Sequence, residues 1–159
     1  MHRLVRVRLG GLSAAALIGV VAIGAAFALP ASATTVKTAC SSTTITTKGT
    51  GTLSKCTNLK GTGGSGKLVV NTSKSPYPAT FTWNKTGTTK ASLTYGAPPK
   101  GAPKVCPAGT VEIDVKGTVT GGTGAAIKSI PRGAKVSGKL CYKASTASLT
   151  LAPKTTFNL

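Results

Sequence analysis

Apolar and polar residues alternate in short runs through most of the chain, and one long apolar run near its start breaks that rhythm. The alternation has period two, the period of a strand with one buried face. It is clearest at Ala79 to Lys85, where Phe81 and Trp83 share one face and Thr80, Thr82 and Asn84 the other. It is equally clear at Thr110 to Lys116, with Val111, Ile113 and Val115 opposite Glu112, Asp114 and Lys116. Ala134 to Lys143 places Val136, Leu140 and Tyr142 against Lys135, Lys139 and Lys143. Weaker strands are predicted at Ser42 to Lys48, Thr50 to Thr57, Lys67 to Thr72, Thr89 to Tyr95, Ser148 to Leu151 and Thr155 to Leu159. Gly121-Gly122-Thr123-Gly124 reads as a turn, and Ala125 to Ile130 as a short apolar piece ended by Pro131.

Short strands at regular spacing, with glycine and proline between them, predict an all-β fold. The architecture is a single antiparallel β-sandwich or a partly open barrel. Pro98, Pro99, Pro103 and Pro107 interrupt the pattern within 96–107. Proline cannot donate to a ladder, so this stretch is expected to be an exposed crossover between the halves of one domain. In Ala134 to Lys143 the alternation puts Cys141 on the lysine face. Either its disulfide is superficial or Gly138 marks a bulge that shifts the register.

The long apolar run, Leu12 to Leu29, follows Arg3, Arg6 and Arg8 and precedes Pro30 and Ala31-Ser32-Ala33. A basic head, an apolar middle and a small-residue end predict a cleaved secretory signal peptide over 1–33. The domain is then 34–159, with no transmembrane segment after cleavage, and the protein is secreted or held at the envelope. Four cysteines, Cys40, Cys56, Cys106 and Cys141, lie in that domain. Outside the cell an even set reads as two disulfides. Of the three pairings, Cys40–Cys56 and Cys106–Cys141 are preferred because each stays within one half of the chain.

Composition narrows the chemistry. Without residues 1–33 the chain keeps 17 basic residues against Glu112 and Asp114, a formal charge of +15, and no histidine. Histidine is the usual general base and the commonest metal ligand, so the residues predict neither an enzyme nor a cofactor or metal site. Glu112 and Asp114, two apart on one strand face, are the single carboxylate pair; cross-strand pairing with lysine is their expected use. The basic residues are lysines except Arg132. Lysine is a hydrated point charge, unlike the arginine fork that recognises phosphate bidentately. The charge therefore points to a diffuse positive field, with Lys135, Lys139 and Lys143 as its densest patch, and to no specific nucleic-acid site.

Several motifs lack the context they need. Gly61 to Lys67 imitates a phosphate loop, but Leu68 and a strand pattern follow instead of a helix. Lys85-Thr86-Gly87 matches one motif of penicillin-binding enzymes without the S-x-x-K nucleophile. Asn71-Thr72-Ser73 and Asn84-Lys85-Thr86 fit the N-glycosylation pattern. Trp83 and Tyr95 are the candidate ligand platform, although the only tryptophan of a small β domain more commonly anchors its core.

Gly117-Thr-Val-Thr-Gly-Gly-Thr-Gly124, Lys139-Leu-Cys-Tyr142 and Ala152-Pro-Lys-Thr-Thr-Phe157 resemble the end of uncharacterised small secreted β-rich proteins of actinobacteria. The resemblance implies a β domain and export, and brings no activity and no functional residue. Secreted four-cysteine protease inhibitors of such bacteria are similar in size and all-β character, without a matching reactive loop. The leading expectation is a non-enzymatic cationic protein associating with anionic cell-envelope polymers or lipid. The alternative is a protein-interaction module, such as a protease inhibitor, presenting the Pro-rich segment 97–104.

Overall fold

Among the described residues nine strands form in chain order, and each of the first eight pairs with its neighbour in sequence. The computed structural model describes residues 37–59 and 64–159; the stretch 1–33, expected to be a signal peptide, and part of the Gly61 to Lys67 motif lie outside them. The strands are β1 (Ala39–Thr46), β2 (Thr50–Cys56), β3 (Gly66–Val70), β4 (Tyr77–Trp83), β5 (Gly87–Gly96), β6 (Val111–Gly124), β7 (Lys135–Lys143), β8 (Ser148–Leu151) and β9 (Phe157–Asn158). All pairings are antiparallel.

The sheet closes because β1 pairs with both β2 and β8. The fold is an eight-stranded up-and-down barrel, not a two-layer sandwich and not a partly open barrel. Closure leaves no free sheet edge among the described strands of the barrel. The short β9 lies in line beyond β8, again between β1 and β7, with Asn158 opposite both Ala39 and Ser137. Pro153 and the exposed Lys154 bulge outward between the two pieces.

An eight-stranded barrel is just wide enough to be filled by side chains. Leu53, Leu68, Phe81, Leu93, Val115, Val119, Val136, Leu140 and Phe157 are buried from the successive strands. Val111, expected inside, is exposed at the start of β6. Two interior glycines make room for rings. A Cβ at Gly138 would lie 2.6 Å from Phe157 Cδ2, and one at Gly66 would lie 2.6 Å from Trp83 Cε3. Trp83 stacks on Phe81 at 5.9 Å and its indole N–H donates to the buried Thr89 Oγ1 at 2.9 Å. Ala126 and Ile130, in and just after the helix α1 (Ala126–Ser129), are buried with Leu59 and Leu159.

The outer face is threonine-rich. Thr150, Thr44, Thr52, Lys67, Thr82, Thr88 and Thr123 occupy directly opposed positions on consecutive strands. A β-branched hydroxyl residue suits a solvated sheet face, and Thr88 and Thr123 join hydroxyls at 3.0 Å.

Four local expectations meet the structure, and two of them, the turn at 121–124 and the crossover at 96–107, are corrected. Residues 121–124 do not turn: they extend β6, paired with Gly87 to Lys90 beyond a bulge at Lys90/Ala91. Residues 125–130 carry the four-residue helix α1. The Pro-rich stretch crosses nothing, since β5 and β6 are adjacent antiparallel strands; it is a long hairpin loop, 97–110. The register of β6 on β7 runs without interruption through Gly138, so no bulge occurs there.

Candidate functional site

Uninterrupted pairing of β6 with β7 fixes the site. Asp114 stands directly opposite Lys139, and Glu112 opposite Cys141, all on the outer face. Lys139 Nζ donates to Glu112 Oε1 at 2.7 Å and to Asp114 Oδ1 at 3.0 Å. The side chains are partly covered, with relative exposures of 8% for Glu112, 15% for Asp114 and 33% for Lys139. The expected cross-strand pairing is thus present, but beneath a cover.

The cover is the β5–β6 loop. Cys106 bonds to Cys141, which is buried although it lies on the outward face. The backbone N–H of Val105 donates to Glu112 Oε2 at 3.0 Å. The loop is therefore pinned to the outside of the barrel by a covalent bond and by an ionised carboxylate. At its far end Ala102 N–H returns to Pro99 O at 3.0 Å, and Gly101 takes φ +85°. That is a turn with a left-handed third residue, which glycine adopts without cost. Pro99, Lys100, Gly101, Pro103 and Lys104 are exposed.

The Lys139 hydrogen bond, then the Val105 amide, hold the Glu112 carboxyl below its ordinary value; burial opposes them. The same two carboxylates hold the Lys139 ammonium above its ordinary value, Glu112 first. Both oxygens of Glu112 are occupied and the group stays ionised at neutral pH. It is built to hold a loop, and poorly suited to deliver a proton.

Beside this cluster a shallow cleft of about 430 Å³ is lined by Asp114, Lys116, Ser137, Lys139, Lys154 and Asn158. Of the predicted lysine patch, Lys135 and Lys143 are exposed, while Lys139 is taken by the carboxylates. Lys139 is the only described lysine that is not exposed.

The predicted aromatic platform is not assembled. Trp83 is buried in the core at 3% exposure. Tyr95 lies toward the opposite end of the barrel and packs against Tyr77 at 5.1 Å. Burial, and then Tyr77, push its phenol up to about 12. The second disulfide, Cys40–Cys56, joins directly opposed residues of β1 and β2. Lys85, at φ +66°, and Thr86 form the turn between β4 and β5, and Lys67 faces outward from β3.

Reading the side chains missed that Val105 and Cys106 belong to the Glu112 cluster. Their contribution is a backbone amide and a covalent bond, which leave no trace in hydrophobic patterning. The usable signal was the pair of cysteines at 106 and 141, one in the proline-rich stretch and one on a strand. Among the described residues no group of histidine, cysteine, aspartate and glutamate is arranged to hold a metal ion. No described helix is long and apolar enough to cross a membrane. Comparison with protein-family models, curated proteins and solved structures returns no match.

Proposed function

We propose that the protein is an exported, non-enzymatic, cationic β-barrel that associates with anionic cell-envelope polymers or anionic lipid through a diffuse positive field. One observation carries this reading. The only two carboxylate side chains of 34–159 are both bound to Lys139 beneath the loop, while every other described lysine, and Arg132, is exposed. Among the described residues the fully exposed charged side chains are therefore all positive. Such a surface concentrates polyanions and binds them with strong salt dependence. Two disulfides suit an oxidising compartment. Neutral threonine hydroxyls between the lysines add hydrogen-bonding capacity without offsetting the charge.

The test is binding of the oxidised protein to its host's isolated envelope at about 50 and about 300 mM salt. A multi-contact electrostatic association should weaken by about a thousandfold over that range. Lys135→Gln with Lys143→Gln should lower the salt slope. Binding that survives high salt points instead to a specific pocket, and no binding at either salt removes the reading.

A further inference from the structure

The loop that covers Glu112 has a feature the charge argument does not use. Beyond the Pro99–Ala102 turn, residues 103–105 adopt neither helix nor turn, and Pro103 limits the freedom of the segment. Pro103 also disfavours the helical region for Ala102. Lys104 is exposed, yet the next two residues are fastened down: Val105 by its amide to Glu112, Cys106 by its bond to Cys141. The chain thus presents one basic side chain on a restrained segment, immediately before a peptide nitrogen that is held from behind.

We propose that 102–106 is a substrate-like loop that inhibits serine proteases selecting a basic residue, with Lys104 entering the primary specificity pocket. This activity goes beyond the electrostatic association, and neither depends on the other. A pocket carrying a carboxylate takes lysine. Exposed Lys154 also follows a proline and precedes a held amide, Thr155 N–H on Ala152 O at 3.2 Å, but Lys154 itself takes φ +59°, outside the extended region. Lys100 sits within the Pro99–Ala102 turn and is followed by Gly101 at φ +85°, so its peptide bond is bent away from an extended conformation.

The anchoring accounts for inhibition in place of digestion. The protease serine attacks the Lys104 carbonyl carbon, and the Lys104–Val105 bond breaks. The protease histidine gives its proton to the Val105 nitrogen, leaving an acyl ester on the serine and a free amine on Val105. That amine cannot diffuse away. Cys106 is bonded to Cys141 on β7, and the ladders β5–β6 and β1–β8 hold the two pieces of chain in one barrel. Val105 N lies against Glu112, so the amine stays where it can attack the ester, re-form the amide and return the serine. If water intervenes, one water is consumed, giving a Lys104 carboxylate and a Val105 ammonium beside the Glu112 carboxylate. Re-forming the amide then releases that water. Holding the partners together makes the return step effectively intramolecular.

The experiment takes the oxidised protein recovered from its own host, with trypsin as the probe and chymotrypsin as the control. Trypsin should be inhibited, with cleavage confined to Lys104–Val105 and stopping short of completion. Lys104→Ala should weaken inhibition by at least about 100-fold, as for a central anchor of an interface. Lys104→Phe should transfer inhibition to chymotrypsin, a gain that misfolding cannot imitate. Glu112→Gln keeps an oxygen for the Val105 amide but removes the charge, and should move the balance of intact and cut chain toward cut. Three results would overturn the proposal: no inhibition of trypsin, inhibition unchanged in Lys104→Ala, or complete cleavage of the wild-type loop without inhibition.

Discussion

Gly138 and Phe157 offer a quantitative test of how the barrel is filled. A methyl group at Gly138 would lie 2.6 Å from Phe157 Cδ2, well inside contact distance. Phe157 is fully buried and also packs 6.2 Å from Phe81, so its ring has nowhere to retreat. Overpacking of this kind costs about 1–3 kcal/mol. Gly138→Ala should therefore lower Tm by roughly 4–12 °C, at about 4 °C per kcal/mol for a domain of this size. Phe157→Ala removes the ring and leaves a cavity, at about 3–5 kcal/mol. The two effects should not add. Once the ring is gone, the methyl group added by Gly138→Ala enters vacated space, and the double variant should be no less stable than Phe157→Ala alone. The coupling energy is then about 1–3 kcal/mol in the direction of rescue. Urea unfolding followed by the fluorescence of Trp83, the only tryptophan, measures all four corners of the cycle. Additivity within about 0.5 kcal/mol would refute the reasoning, because it would mean that Gly138 is not kept small by the ring.

Three further outcomes follow from the geometry. Thr89→Val strands the buried Trp83 indole N–H and should cost about 1–3 kcal/mol in urea unfolding, with Thr89→Ser recovering most of it. Replacing Cys106 and Cys141 by serine opens a 35-residue span and should cost about 4 kcal/mol, against about 3 for the 16-residue span of Cys40–Cys56; only the first pair should also make 97–110 readily cleaved. Glu112 has a lowered folded-state value, so its stabilisation is complete above the ordinary carboxylate value and is lost as pH falls through the lowered one. The stability gap between wild type and Glu112→Gln should close as pH falls below about 4.5, read by urea midpoints across acidic pH. Lys139 runs the other way: its contribution is complete below the ordinary lysine value and is lost as pH rises through the raised one.

Much of the barrel wall was legible in the sequence. Phe81 and Trp83, Val115, and Val136 and Leu140 alternate with polar residues because one face of each strand meets a core, whereas Val111 and Ile113 carry the same pattern beyond it, exposed and half-buried. The in-half disulfide pairing could be chosen from position alone. Legibility failed where side chains carry little pattern. Gly121 and Gly122 looked like a turn, yet their backbones continue a ladder whose information resides in β5. Ala125 to Ile130 is too short for helical periodicity to show. Closure was hidden for a different reason: it depends on Thr44 to Thr46 meeting Ser148 to Thr150, a long-range match that no local window contains. The prolines of 96–107 announced an exposed segment, but not that it returns to the neighbouring strand and lies over Glu112.

The order of strand pairing has a consequence for how the chain matures. Seven of the eight joints of the barrel link consecutive strands and can form as each hairpin is completed. The eighth, β8 to β1, brings together segments about a hundred residues apart. Local joints form fast and the distant one pays the larger loop-closure entropy. Until residues 148–158 are free to pair, the barrel cannot close and its core lacks Phe157. In a chain that entered an export channel beginning first, that seam would stay open until nearly all of it had crossed, and the last strand would set when the barrel closes.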